Sequence, residues 1–202
     1  MDAIDPKRTA LLVLDMHVDV VGADGASSDT GAPEHAAAQN VVENIKTLLA
    51  KARSTGTAVV HIHHRKAKAS RPHGSMSAMF RGLGESPGFN AGTPGMKVMP
   101  GLEPQGSDIV IEKERASAFA GTELDIVLRA MAIDTLILTG AWTNFSVEST
   151  ARNATDHGYR VLVASNGTSS ISEEWHQAAI GYALTWLCEI GTAGEIAAAL
   201  SR

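Results

Sequence analysis

The 202-residue chain has little of several features that mark particular classes of protein. Its single cysteine, Cys188, cannot form a disulfide within the chain, so we expect a cytoplasmic protein in a reducing environment. No uninterrupted apolar run approaches the ~20 residues of a bilayer-spanning helix, and the segment MDAIDPKRTA has no apolar region typical of an export signal. The net charge of −5 and the absence of a basic cluster argue against nucleic acid or a membrane as partner.

Apolar content, by contrast, is ample. Hydrophobic residues make up 44% of the chain, and its length suits one domain with a core that needs no disulfides. Short aliphatic runs alternate with amphipathic segments such as 34–53, which predicts an α/β fold. We therefore expect a single domain over residues 1–202 with a doubly wound, mostly parallel sheet. The predicted strands are Thr9–Leu14, Thr57–His64, Asp108–Ile111, Leu136–Leu138 and Val161–Ala164.

One stretch has the pattern of a strand, a turn and a helix. The run Leu136–Leu138 predicts a buried strand, 139–144 contains a glycine bend, and 145–157 has helical periodicity. Ser146 then lies in the first turn of a helix, where unpaired backbone N–H groups and the helix dipole favour negative charge. Taken alone, a serine at this position is more commonly a simple helix-start hydroxyl.

Two charged residues follow other predicted strands. Asp15 comes directly after Thr9–Leu14, and Lys113 follows Asp108–Ile111. Each by itself is an ordinary solvated residue at the end of a strand. Ligands of open α/β sheets bind outside the carboxyl ends of the strands, so Asp15, Lys113 and Ser146 are expected to meet there.

The string from Thr139 to Tyr159 resembles the nucleophile loop of the isochorismatase-like (cysteine hydrolase) superfamily. That loop is T-G-x-x-T-N-x-C-V-x-x-T-A followed by G-Y, and only the cysteine is missing, with Ser146 in its place. Asp15 matches the first aspartate of the family's D-x-Q-x-D-F. The string that begins at Lys113 resembles its K-x-x-x-S-A-F-x-G-T.

This resemblance implies an isochorismatase-like hydrolase fold and the amidohydrolase branch that contains N-carbamoylsarcosine amidase and ureidoacrylate amidohydrolase. It implies that Asp15, Lys113 and Ser146 are catalytic and that the substrate is a small amide or ureide. Backbone N–H groups of Trp142 and Ser146 would hold the oxyanion across a cis peptide bond between Ala141 and Trp142. No cofactor is implied, and a homo-oligomer, a dimer or tetramer, is expected.

A serine at position 146 leaves three explanations open. The first is a deliberate replacement of cysteine by serine to trap a ligand, which the intact neighbouring residues favour. The second is a natural serine that is slow or used in a different mechanism. A third explanation is isochorismatase-type hydrolysis of a vinyl ether, in which no covalent nucleophile is needed. A relative that binds a ligand without catalysis is a further hypothesis, although it gives Asp15 and Lys113 no common purpose.

Histidines are concentrated in the second predicted strand. Strand alternation places His61 and His63 on one face and His64 on the other. The D-W-H metal element of zinc-binding family members corresponds here to His64, Arg65 and Lys66, so we predict no metal site. The candidate substrate contacts are His17, His63, His64, Phe80, Phe119 and Trp142, and His17 is equally explained as a polar residue in a turn.

The long segment 66–104 is rich in glycine, serine and proline. Connections of this length inside a compact domain are usually functional, so we predict a lid that selects substrate. Its string Gly92–Gly95 resembles the G-T-P-G of amidase members. Its expected apolar anchors are Met76, Met79, Phe80, Phe89 and Met96.

The C-terminal part has a capping-box pattern, Ser170 followed by Glu173, that predicts a helix. Trp175, Ala179, Tyr182 and Trp186 share one face of that helix, which is typical of a core or a subunit interface. Cys188 lies in an apolar run without an adjacent base, and we expect an inert buried thiol.

Overall fold

The computed structural model of the protein describes residues 1–66 and 77–200. Within them, one sheet of six strands has the order β3-β2-β1-β4-β5-β6, and every neighbouring pair is parallel. This confirms the predicted single-domain, doubly wound α/β fold. The strands are β1 Thr9–Leu14, β2 Ala58–His64, β3 Ile109–Lys113, β4 Thr135–Ala141, β5 Arg160–Ser169 and β6 Glu189–Gly191.

Helices cover both faces of the sheet because its central strands are apolar on both sides. All six residues of β1 are buried, as are all seven of β4. Leu11 and Val13 belong to one core cluster, and Leu12 and Leu14 belong to the other. The helices are α1 Val18–Val21, α2 Ala32–Ala38, α3 Val41–Thr55, α4 Ala78–Glu85, α5 Leu124–Ala130, α6 Glu148–Asp156, α7 Glu173–Gln177 and α8 Ala193–Ala199.

In the first crossover, two helices, α2 and α3, take the place of the one helix expected over 34–53. The chain breaks at Asn40, which has a positive φ of 51° that asparagine tolerates better than most residues. The apolar stripe of α3, which includes Ile45, Leu48 and Leu49, packs on the sheet as its periodicity predicts.

The lid segment carries α4 and a short 3₁₀ turn, Pro94–Met96. Of the predicted anchors, Phe80, Phe89 and Met96 are partly buried, Met79 is 44% exposed, and Met76 lies outside the described residues. Residues 97–99 return beside the start of α1, with an antiparallel bridge between His17 and Val98.

The C-terminal helix prediction is wrong in two respects. The N-cap of α7 is Ser172, whose hydroxyl accepts from the Trp175 N–H at 3.3 Å, and the capping box lies instead at Thr192. Beyond α7 the chain continues as a π-helical segment, Ala178–Ala183, and a 3₁₀ turn. This change of helical period leaves Tyr182 and Trp186 75% and 91% exposed, so they are not core residues. Among the described residues, no helix is long and apolar enough to cross a bilayer.

Candidate functional site

Three side chains from three strand ends meet at the carboxyl edge of the sheet. Asp15 directly follows β1, Lys113 ends β3, and Ser146 lies in the turn after β4. The Lys113 Nζ lies 2.7 Å from Asp15 Oδ2 and donates to Ser146 Oγ at 2.9 Å. All three residues are at most 5% exposed. The structure therefore brings together the three residues that the sequence singled out.

The ammonium of Lys113 organises the charges at this point. It also donates to the carbonyl oxygens of Ala116 at 2.7 Å and Arg115 at 3.2 Å, so each of its protons has an acceptor. Burial alone would raise the pKa of the Asp15 carboxyl, but Lys113, His64 and the Ser146 hydroxyl outweigh burial and lower it. Asp15 is thus an ionised carboxylate, and its Oδ1 has no hydrogen-bond partner among the described residues.

Ser146 is positioned by a compact turn that follows β4. Gly140 has a φ of 109°, and a Cβ there would lie 2.0 Å from the Leu14 carbonyl oxygen, so only glycine lets β4 pass this close to β1. The peptide bond between Ala141 and Trp142 is cis. Thr143–Val147 then form a π-helical turn before α6, which differs from the α-helix expected from 145.

Behind this turn lies a buried polar network that the sequence did not reveal. Thr143 Oγ1 is 2.8 Å from His176 Nδ1, and Ser170 Oγ donates to Asn144 Oδ1 at 2.5 Å. The Ser170 N–H donates to His35 Nδ1 at 3.2 Å. Because these residues come from α2, the residue after β5, and α7, no local pattern in the sequence could have linked them to the turn.

The three residues lie at one end of a cavity of about 370 Å³. Apolar side chains from α4 and from the turn after β4 make up most of its wall, with His64 and Arg115 as additional polar groups. The Arg115 guanidinium lies over the Phe80 ring at 5.1 Å, which connects the lid to the segment after β3. The lining includes Val20, Ala78, Met79, Phe80, Leu83, Phe89, Trp142 and Phe145.

The predicted substrate contacts divide into two groups. His64, Phe80 and Trp142 line the cavity, whereas His17, His63 and Phe119 do not. His17 is 1% exposed and packs edge-on against His63 at 4.7 Å, and burial lowers its pKa to about 4. Phe119 stacks on His157 at 5.1 Å. Phe145, which precedes Ser146 and lines the cavity, was not among the predicted contacts, although its place beside the serine was a usable signal.

Metal ligation was not expected, and the surroundings of β2 are consistent with other roles for its histidines. Among the residues with described positions, no group of three or more His, Cys, Asp or Glu side chains could hold a metal ion. His61 Nε2 is 3.2 Å from Asp108 Oδ2, and Asp108 also pairs with Arg53 at 2.6 Å. Lys66, which occupies the position of a ligand histidine, donates to the carbonyl oxygen of Ser86.

Cys188 is partly buried and lies outside the cavity lining. Burial raises the pKa of its thiol to about 11, so it is poorly suited to act as a nucleophile.

Comparisons with known proteins identify the family of this chain and proteins with a similar fold. A family model described as the Isochorismatase domain matches residues 9–193. The uncharacterized isochorismatase family protein YecD of Escherichia coli O157:H7 is 32% identical over 98% of this chain and 98% of its own length. The ureidoacrylate amidohydrolase RutB of Rhizobium rhizogenes is 28% identical over 89% of this chain and 77% of its own. A solved structure of a cysteine hydrolase from Pseudomonas syringae superposes with a TM-score of 0.86 at 25% identity, covering 98% of this chain and 95% of that one.

Proposed function

Because the chain belongs to the isochorismatase family, we propose that it is a hydrolase that cleaves a C–N bond of a small amide or ureide at Asp15, Lys113 and Ser146. The observation that carries this proposal is the double contact of the Lys113 ammonium, with the Asp15 carboxylate and with the Ser146 hydroxyl. Its support from relatives is the similarity to a ureidoacrylate amidohydrolase.

Lys113 provides the charge on which the other two roles depend. Its ammonium keeps Asp15 ionised, and it stabilises negative charge that develops on the oxygen at position 146. Since the pair is buried, this stabilisation is screened less than it would be at the surface.

In the proposed reaction, Ser146 Oγ attacks the carbonyl carbon while its proton passes to Asp15. The proton then passes from Asp15 to the leaving nitrogen as the C–N bond breaks, which leaves an acyl group on Ser146. Water, deprotonated by Asp15, cleaves the acyl ester and regenerates the hydroxyl. Trp142 and Ser146 both line the cavity, and their backbone N–H groups are the proposed donors to the oxyanion.

A hydroxyl is a poor nucleophile in this setting. It needs a strong adjacent base, and Asp15 is a weak one because its pKa is lowered. A thiol, with an ordinary pKa of about 8.5, would ionise far more readily beside the ammonium. We therefore propose that the site is built for a thiol and that the serine protein hydrolyses amides slowly.

The cavity limits the class of substrate. A volume of about 370 Å³ admits a small molecule, and the predominance of apolar wall residues suits a compound with an apolar portion next to its amide. His64 and Arg115 are placed to contact a polar or anionic group on the same molecule.

Hydrolysis of a vinyl ether, as in isochorismatases, is the second candidate because Ser146 leaves the site without a thiol. It requires a proton from Asp15 and attack by water, and the ionised state of Asp15 counts against it. A dianionic substrate would nevertheless find few basic groups, since Lys113 is already paired with Asp15. Ligand binding without catalysis is a third outcome that the same experiment addresses.

The test is a panel of amides, ureides and isochorismate offered to the protein and to its Ser146→Cys variant. Release of ammonia or amine is the measurement for the amides and ureides, and release of pyruvate is the measurement for isochorismate. We expect Ser146→Cys to accelerate amide cleavage by about 100-fold or more, and Asp15→Asn in that variant to abolish it. Ser149→Cys is the matched control, since it adds a thiol three residues on and outside the cavity lining.

Activity on isochorismate that is unchanged by Ser146→Cys would favour the vinyl ether hypothesis. Binding of panel compounds without turnover by either protein would favour a ligand-binding relative. Equal amidase activity of the Ser146→Cys and Ser149→Cys variants would contradict the proposed role of position 146.

A further inference from the structure

A second buried carboxylate, Asp19, lies close to the site but outside the proposed chemistry. It belongs to α1 and is 7% exposed. Its Oδ1 accepts from the backbone N–H of Ala26 at 3.0 Å, and its Oδ2 accepts from the backbone N–H of Phe89 at 2.8 Å. One carboxylate thus joins the start of the chain to the lid segment, 70 residues later.

The lid backbone lies directly against this carboxylate. A Cβ placed on Gly95 would be 2.0 Å from Asp19 Oδ1, and one on Gly88 would be 2.2 Å from the Cβ of Ala26. Neither glycine has room for a side chain. The backbone of the segment 86–96 therefore packs directly against Asp19 and Ala26.

The residues that follow this segment are hydrogen-bonded to the stretch directly after Asp15. Val18 N–H donates to the Lys97 carbonyl at 3.0 Å, and Met99 N–H donates to the Met16 carbonyl at 2.8 Å. These two hydrogen bonds and the contacts with Asp19 therefore fix the position of the segment 86–96 relative to Asp15 and the cavity that it lines.

Phe89 transmits this positioning to the cavity. Its ring lines the cavity and packs edge-on against His64 at 6.0 Å. Its backbone has a φ of 61°, an unfavourable conformation for a bulky residue, which must be held by its surroundings. Its N–H donates to Asp19 at 2.8 Å, and its carbonyl oxygen accepts a longer bond from the Lys66 N–H at 3.3 Å.

From these contacts we propose that Asp19 is a positioning residue that fixes the segment 86–96, and with it the Phe89 ring, and so sets the size of the molecule that the cavity admits. The size selection rests on the proposed function, whereas the positioning itself does not. When Asp19 no longer accepts both N–H groups, Phe89 moves, and the cavity admits bulkier molecules.

The first test measures hydrogen exchange of individual backbone amides by NMR. Asp19→Asn keeps the side chain's shape but leaves one carbonyl oxygen for two N–H donors. We expect the Phe89 or the Ala26 amide to exchange roughly tenfold faster or more, as befits loss of a hydrogen bond to a charged acceptor. Asp24→Asn, the same charge change at an exposed site on the same stretch, should change neither amide. Unchanged exchange of both amides in Asp19→Asn would overturn the proposal.

The second test measures size selection without any turnover. In a Ser146→Cys, Cys188→Ser protein, the introduced thiol is alkylated with compact iodoacetamide and with bulkier N-ethylmaleimide. Adding Asp19→Asn should raise the N-ethylmaleimide rate relative to the iodoacetamide rate by roughly threefold or more, because the wall and not the thiol has changed. General loosening would raise both rates together, and an unchanged ratio would overturn the proposal. Since neither test uses a substrate, failure of the proposed amidase activity is recognised separately.

Discussion

The floor and the wall of the cavity are built in different ways. The floor consists of Asp15, Lys113 and Ser146, all nearly inaccessible. They lie at or just after the ends of strands held by parallel ladders within the core. The wall includes α4, none of whose residues is buried, and Met79, which is 44% exposed. Groups that must keep their mutual distances are at the ends of sheet strands, whereas part of the wall is on α4, a helix that contributes no buried residue. The wall can therefore change without cost to the floor.

The largest effect is expected from Asp15→Asn, which removes the negative charge from the floor of the cavity. The buried Lys113 ammonium loses its charged partner, which should lower the free energy of unfolding by about 3 kcal/mol. In the Ser146→Cys protein the same change should reduce amide hydrolysis at least about 10³-fold, since the proton shuttle is lost. Urea unfolding and ammonia release measure the two effects. A loss below about 0.5 kcal/mol, as expected for the exposed control Asp24→Asn, would show that the pair is not structurally important.

A fall in pH should lower the free energy of unfolding through two buried histidines before it protonates Asp15. Burial lowers the pKa of His17 and of His176 to about 4, against about 6.5 in an unfolded chain. Below pH 6.5 the unfolded state binds more protons than the folded state, so stability is complete above that pH and falls as the pH drops towards 4. Each histidine contributes a slope of up to about 1.4 kcal/mol per pH unit.

The measurement is urea unfolding at pH 7.0, 5.5 and 4.5, with His176→Gln expected to have a shallower slope than the parent protein. His157→Gln is the control, because that histidine is largely exposed. The contribution of Asp15 has a separate window. Its folded pKa lies below the ordinary 3.8, so its stabilisation is present above that value and is lost only as the pH falls through the lowered pKa. A parent slope that His176→Gln leaves unchanged would contradict the assignment.

Phe80→Ala tests the wall alone. Phe80 is partly buried and contacts Arg115 across the cavity, so we expect KM of the Ser146→Cys protein to rise about tenfold with little change in kcat. Stability should change by no more than about 1 kcal/mol, because α4 contributes no buried residue. A fall in kcat at constant KM would instead place Phe80 with the floor.

The smallest effect on a single chain is expected from Trp186→Ser. The side chain is 91% exposed, and the free energy of unfolding should change by at most about 0.5 kcal/mol. If the protein is a homo-oligomer, as we expect, the exposed Trp186 and Tyr182 are the proposed contact, and the variant should sediment as a smaller species. An unchanged sedimentation coefficient would exclude this surface as the contact.

Much of the fold and the floor of the site followed from local patterns. Aliphatic runs located the central strands, and residues just past their ends had to meet because parallel strands end at one edge. Patterns failed where the helical period changed, as at Thr143–Val147 and Ala178–Ala183. They also could not distinguish His64, which lines the cavity, from His63, one residue away, since that choice depends on which face the lid covers.

By itself the sequence determined where the central strands lie, which residues follow them, and that Ser146 lies just after the glycine bend behind the run Leu136–Leu138. These properties depend on side-chain periodicity and local chemistry, which neighbours along the chain encode. Only the tertiary structure decided that Lys113 contacts both Asp15 and Ser146. The same is true of the hydrogen bond between Thr143 and His176 and of the one from the Phe89 N–H to Asp19. Those contacts join segments far apart in the chain, and their distances are set by how the strands, the turn and the lid pack together.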